Sequence, residues 1–159
     1  MPAEVTMPSR KAAAPMMREG SMRDGRLRKH ADYQRVYREG KRQSLPLMTY
    51  FYAMRPLETD TPEPSMGSRE PRVGLTAGRV LGNAVARNRI KRRMREAIRM
   101  HRGELMAGVD VILHPRRTVL ETEFSQIERD VLRAFRAVQT AVTQAARVKA
   151  GDADSADRR

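Results

Sequence analysis

The stretch Arg87-Asn88-Arg89-Ile90-Lys91-Arg92-Arg93-Met94-Arg95-Glu96 limits what this chain can build more than any other. Six of its first nine residues are cationic, yet Ile90 and Met94 keep helical spacing. On a helical wheel extended to Arg102, Ile90, Met94, Ala97, Ile98 and His101 share one arc of about 100°. Asn88, Lys91, Arg92, Arg95, Arg99 and Arg102 fall on the other side. Such a helix buries one stripe and holds a fence of cations outward. Ordinary solvated helix faces mix signs so that i,i+4 pairs form, but between Ala84 and Arg102 the only acid is Glu96. The cations repel one another along one face unless an external polyanion relieves them, and a phosphate backbone is the natural candidate.

The rest of the chain agrees. A formal charge of +13 over 159 residues implies a nucleic acid or an anionic membrane as partner. No run of roughly 18 apolar residues exists to span a bilayer, and the N-terminus lacks the apolar core of a signal peptide. A cytoplasmic protein fits. The absence of cysteine excludes disulfides, thiolate zinc sites and thiol nucleophiles together. With no tryptophan and only seven Phe or Tyr residues, the core must be small, aliphatic and methionine-rich. One domain at 26–148 is expected between a disordered basic tail at 1–25 and a disordered tail at 149–159. Met22 is an alternative start, and Met7, Met16, Met17 and Met22 read as unstructured.

Along the chain, a basic cluster from Arg26 to Lys29 leads into a short helix. Tyr33, Val36 and Tyr37 stand at i, i+3 and i+4, Asp32 sits at its cap or first turn, and Gly40 ends it. Leu47–Met54, between Pro46 and Pro56, reads as a strand. Leu57–Pro71 is a proline-rich, locally acidic loop. Arg72–Arg79 alternates Val73, Leu75 and Ala77 against Gly74, Thr76 and Gly78, a second strand whose glycines leave room for close approach. Val80-Leu81-Gly82-Asn83 turns the chain into the basic helix, with Asn83 as its cap. Gly103 and Gly108 bracket a break, Val109–Leu113 is a third strand stopped by Pro115, and Phe124 to about Val148 is a closing helix. The order is α-β-β-α-β-α, an α/β sandwich with a small sheet.

Gly74-Leu-Thr-Ala-Gly-Arg-Val-Leu-Gly82-Asn-Ala-Val-Ala-Arg87-Asn-Arg-Ile-Lys-Arg-Arg-Met-Arg-Glu96 resembles the signature of the bacterial ribonuclease P protein family. Asp32-Tyr33 with Val36-Tyr37 and Gly40 is similar to that family's aromatic N-terminal helix. Asp110-Val-Ile-Leu ahead of Arg116 and a closing helix is a third match. The resemblance implies a two-layer sandwich on a small mixed sheet with a left-handed βαβ crossover, whereas general chain-topology rules favour a right-handed one. It also implies a protein cofactor for a ribozyme that removes the 5′ leader from precursor tRNA. Catalysis then belongs to the RNA subunit, which requires Mg²⁺; the protein alone holds no catalytic residue, metal or cofactor. By position, Arg87, Asn88, Arg89, Lys91, Arg92 and Arg95 face the ribonuclease P RNA. Tyr33 and Tyr37, with Arg28 and Lys29 beside them and Phe51 or Tyr52 from the sheet, receive the leader. DNA and membranes are not expected partners. Ala77-Gly78-Arg79-Val80 stands where the family commonly has a Ser-Lys-Lys-like stretch, so one cation is missing at Val80.

Plainer readings stand beside these. Tyr33 and Tyr37 serve equally well as core, as leader contacts, or as both. Arg93 and Arg99 read as generic phosphate contacts or solvated side chains, and Arg87 as a brace for the first helical turn. His30, His101 and His114 share no metal-ligand spacing, and His101 continues the apolar stripe. Asp110 reads as a strand-start residue. The alternative function is a ribosomal or other structural RNA-binding protein. A protein-only nuclease would need clustered carboxylates for Mg²⁺, but Glu58, Asp60, Glu63, Glu70, Glu121 and Glu123 are scattered. A DNA binder would need a helix-turn-helix pair.

Overall fold

The computed structural model describes residues 25–56 and 69–156. The expected tail up to residue 24, including Met7, Met16, Met17 and Met22, lies outside the described residues. So do most of the acidic loop (57–68) and the last three residues.

Helix α1 (His30–Glu39) leads into strand β1 (Lys41–Ser44), and β2 (Met48–Met54) and β3 (Arg72–Leu75) follow. Helix α2 (Ala84–His101), strand β4 (Val109–Pro115) and helix α3 (Phe124–Ala156) complete the chain. The sheet runs β1-β2-β4-β3. Its first two pairings are antiparallel, while β3 and β4 are parallel and connected through α2.

Strand β1 is the element the sequence hides. Lys-Arg-Gln-Ser carries no apolar alternation, and all four residues are exposed. It forms as the outer arm of a hairpin, with Lys41 opposite Tyr52 and Ser44 opposite Thr49. Charged side chains suit such an edge because they discourage pairing with another chain. At the opposite edge, β3 is covered by the segment before α1. Val73 donates its N–H to the Gly25 carbonyl at 2.9 Å, and Leu27 donates to the Val73 carbonyl at 3.2 Å.

The strand expected over 72–79 is only half as long as the pattern suggests. After Thr76 donates to the Leu113 carbonyl at 3.0 Å, the chain leaves the sheet. It enters a 3-10 turn at Arg79–Leu81, and Gly82 follows at φ 120°, a backbone that side-chain-bearing residues rarely adopt. Leu81 anchors this turn in the core, whereas Val80 is 88% exposed.

The pleat sorts the sheet residues into two cores. Met48, Tyr50, Tyr52, Val73, Val109, Val111 and Leu113 pack against Ile90, Met94 and Ala97 of α2 and Ile127, Val131, Phe135 and Val138 of α3. On the other face Ala53 and Ile112 meet Leu27 and Val36, with Tyr33 and Phe51 at their border. Each fully buried Ile, Met or Phe here contributes about 1.5–3 kcal/mol over its exposed state.

Helix α3 continues beyond Val148 through Gly151 to Ala156. Among the side chains described, Val142 is the last buried one, so the exposed stretch 144–152 rests on helix propensity. Ala, Gln, Arg and Lys are strong helix formers, and a single Gly costs about 1 kcal/mol.

Candidate nucleic-acid interface

Asn83 starts α2 as the sequence suggests, its side-chain oxygen accepting the Ala86 N–H at 2.9 Å. Ile90, Met94 and Ala97 are fully buried, which fixes the helix's rotation. Asn88, Arg89, Arg92 and Arg95 consequently face outward, and Lys91 and Arg87 are half-buried. Among the described residues Arg89, Lys91, Arg92 and Arg95 have no hydrogen bond or ion pair within the chain. Partial desolvation and, secondarily, the like charge of Arg26 lower the Arg95 pKa.

Arg93 and Arg99 of α2, and Arg102 just beyond its end, are already engaged. Arg93 was expected to be a phosphate contact or solvated; it instead donates to the Leu120 carbonyl at 3.0 Å and also to the Val119 and Thr122 carbonyls. It therefore ties α2 to the turn that enters α3. Arg99 pairs with Glu96 at 2.6 Å, and Arg102 with Glu70 at 2.8 Å. His101 is half-buried as its place on the stripe suggests, 2.9 Å from Glu128 of α3.

On the opposite face of the sheet, α1 and the strands bring together an aromatic cluster. Tyr37 is 41% exposed and meets Phe51 edge-on, with ring centres 5.0 Å apart. Its hydroxyl is 2.8 Å from Nε2 of His114, whose ring also contacts Phe51. Tyr33 lies deeper, donating its hydroxyl to the Leu27 carbonyl at 3.3 Å, and burial raises its pKa. Gly74 makes this seat possible: a Cβ there would stand 2.6 Å from the Tyr33 hydroxyl oxygen. The room foreseen at the strand glycine is thus taken by the chain's own side chain.

Of the two candidates on β2, the structure brings only Phe51 into this cluster. Tyr52 is a correction: strand alternation sends it to the opposite face, where it is 7% exposed and stacks with Tyr50 at 6.3 Å. Burial raises its phenol pKa accordingly. Arg28 and Lys29 are exposed immediately before α1, with Lys29 at its N-cap position.

Three features escaped the sequence reading. Asp110 is fully buried, not a simple strand-start residue. Arg72 reaches it with Nε at 2.8 Å and Nη2 at 2.6 Å, Arg35 donates to the same carboxylate, and the Arg55 Nε lies 3.7 Å away. Arg72 also pairs with Asp32 of α1 at 3.1 Å, so this cluster sets α1 on the sheet. The Asp110 hydrogen bond leads the causes that raise the Arg72 pKa, whereas desolvation lowers that of Arg55. The second feature is His114, which shares a face with Asp110 and Ile112; counting in twos along β4 was the available signal. The third is Arg26, held by the β3 edge close enough to Arg95 and Tyr33 to act electrostatically on both.

A family model described as Ribonuclease P matches residues 22–139. The ribonuclease P protein component of Brucella melitensis is 38% identical over 113 residues, covering 70% of this chain and 78% of that protein. The corresponding protein of Dictyoglomus thermophilum is 32% identical over 108 residues, 67% of this chain and 81% of that one. Among solved structures, the RNase P protein of Staphylococcus aureus aligns with a TM-score of 0.58 at 26% identity, covering 72% of this chain and 95% of that one. The RNase P protein from Thermotoga maritima shares the fold, with a TM-score of 0.57 at 23% identity over 70% of this chain and 96% of that one.

Proposed function

The chain belongs to the ribonuclease P protein family, and from that premise we propose that it binds the ribonuclease P RNA through α2 and the precursor-tRNA leader through the aromatic groove. The single observation that carries this reading is the set Arg89, Lys91, Arg92 and Arg95, unpaired among the described residues, on a helix whose rotation is locked by its buried stripe. Guanidinium groups hold phosphate oxygens by paired, charge-assisted hydrogen bonds. A compact RNA offers phosphates densely enough to meet several cations at once. Asn88 stands among them and contributes a neutral donor and acceptor.

The groove suits a different task. An unpaired leader has splayed bases, and base–aromatic stacking contributes about 1–3 kcal/mol per base with little regard for sequence. Tyr37 and Phe51 offer that surface, Tyr33 supports it from below, and Arg28 and Lys29 meet the backbone beside it. Mature tRNA lacks the leader, so the contact favours substrate over product. Cleavage is assigned to the RNA subunit with its Mg²⁺, in the cytoplasm; the protein contributes binding and placement. No helix among the described residues is long and apolar enough to cross a membrane.

The test is reconstitution. The protein is added to bacterial ribonuclease P RNA and precursor tRNA at low Mg²⁺, where the RNA alone cleaves slowly. Leader removal should accelerate when both are present and be absent with protein alone. Cleavage by the protein alone, or a ribozyme indifferent to it, would overturn the proposal.

A further inference from the structure

We propose that the cavity between α2 and the turn entering α3 receives one unpaired guanine of the ribonuclease P RNA. The inference rests on the assignment of α2 to that RNA and deepens it. The cavity holds about 450 Å³, a size usual for small-ligand sites, and is lined by Arg89, Arg93, Leu120, Glu121, Thr122 and Glu123. Arg89 stands one helical turn before Arg93, so the two share a side of α2. Arg93 is committed to structure: it donates to the carbonyls of Val119, Leu120 and Thr122 and fixes this turn against α2. Thr122 is occupied as well, its hydroxyl donating to the Thr118 carbonyl at 2.6 Å. Arg89, Glu121 and Glu123 are exposed, and among the described residues their side chains have no hydrogen bond or ion pair within the chain.

The charges decide what fits. Two carboxylates offset two guanidiniums here, so this corner of a cationic surface is a poor seat for a phosphate. It offers a guanidinium fork and carboxylate acceptors around one space, which suits a neutral ligand with one edge for each. Guanine carries two acceptors, O6 and N7, on the edge that an arginine fork takes bidentately. Its N1–H and N2–H₂ are neighbouring donors, and a carboxylate accepts them as a pair. Adenine sets a donor beside N7 and an acceptor at N1, so each side of the cavity meets the wrong partner. Cytosine and uracil have no N7. With its pairing edge engaged, the guanine comes from a bulge or loop, where proteins usually read RNA sequence. The ribozyme RNA is its source, since Arg89 belongs to the α2 face assigned to that RNA, whereas the aromatic cluster lies across the sheet.

The experiment uses the full-length protein and pools of ribonuclease P RNA in which single guanosines are replaced by inosine, which lacks the N2 amine, or by 7-deazaguanosine, which lacks N7. RNA that binds the protein is separated from RNA that does not, and the replaced positions are read in each. With the unaltered protein, one guanosine should show binding weakened about two- to tenfold by either analogue. In Glu121→Ala with Glu123→Ala, the inosine penalty at that position should vanish while the 7-deaza penalty persists; in Arg89→Ala the 7-deaza penalty should vanish. Guanosines that matter only to the RNA's own fold keep their penalties with every variant. Glu121→Gln with Glu123→Gln, which keeps side-chain size, covers a failure of the alanine pair to fold and should shrink the inosine penalty. The alanine pair should also bind unmodified RNA more weakly, although removing two negative charges would by itself strengthen binding to a polyanion. Tighter binding by that pair, penalties unchanged in the variants, or no guanosine sensitive to both analogues would overturn the inference. An unaltered protein that does not bind the RNA would instead bring down the assignment of α2.

Discussion

Replacing Asp110 with asparagine tests the claim that one carboxylate sets α1 on the sheet. Asp110 is 0% exposed, and three N–H groups of Arg72 and Arg35 point at its two oxygens. Asparagine has the same shape but no charge, and its NH₂ must face at least one of those donors. Stranding a buried guanidinium in this way typically costs about 3–5 kcal/mol, against a total stability of about 5–15 kcal/mol for a natural domain. For a chain of this length, each kcal/mol moves the unfolding midpoint by about 2–4 °C, so Tm should fall by roughly 6–20 °C. Circular dichroism melts at fixed pH and salt read this directly. Glu39→Gln is the control, because its pair with Arg38 is open to solvent with side chains 51% and 74% exposed. It should shift Tm by no more than about 2 °C. An Asp110→Asn melt indistinguishable from that control would refute the reasoning, since Arg35 and Arg72 would then be held by something else.

Gly74→Ala forces a methyl carbon to within 2.6 Å of the Tyr33 hydroxyl; it should cost about 1–3 kcal/mol in urea denaturation, and Tyr33→Phe combined with it should recover part of the loss. His114 has its pKa lowered by burial and Arg42, so below its unfolded value near 6.5 the unfolded chain binds more protons. Stability from this group is therefore complete above about pH 6.5 and declines as pH falls from there toward the lowered folded value; melts from pH 7.5 to 5 should show less decline in His114→Leu. Tyr33→Ala, provided its dichroism spectrum is unchanged, should weaken precursor tRNA binding more than mature tRNA binding; equal losses would remove Tyr33 from the groove's support.

The basic helix was readable because a single apolar stripe at Ile90, Met94 and Ala97 fixes which side is outside, and the same residues are buried in the structure. Asn83, Gly40 and the prolines marked element ends by local backbone chemistry, which needs no tertiary information. Strand β1 was not readable, since Lys41–Ser44 owes its form to pairing with β2 and not to any pattern of its own. Tyr52 was assigned beside Phe51 although adjacent strand residues cannot share a face; applying the period of two would have separated them. The use of Arg93 on carbonyls of the turn before α3 depends on where a distant segment returns, which no wheel shows. The same holds for Asp110, whose three arginine neighbours come from α1, from β3 and from the end of β2.

The most direct test of the account is the salt dependence of binding to ribonuclease P RNA. Each lysine or arginine that neutralises a phosphate adds about 0.7–0.9 to the slope of log affinity against log salt. Arg92→Ala with Arg95→Ala should leave the fold intact, since both side chains are exposed. The pair should weaken binding and flatten that slope by roughly 1.4–1.8. A slope equal to that of the unaltered protein would contradict the assignment of this helix face to the RNA.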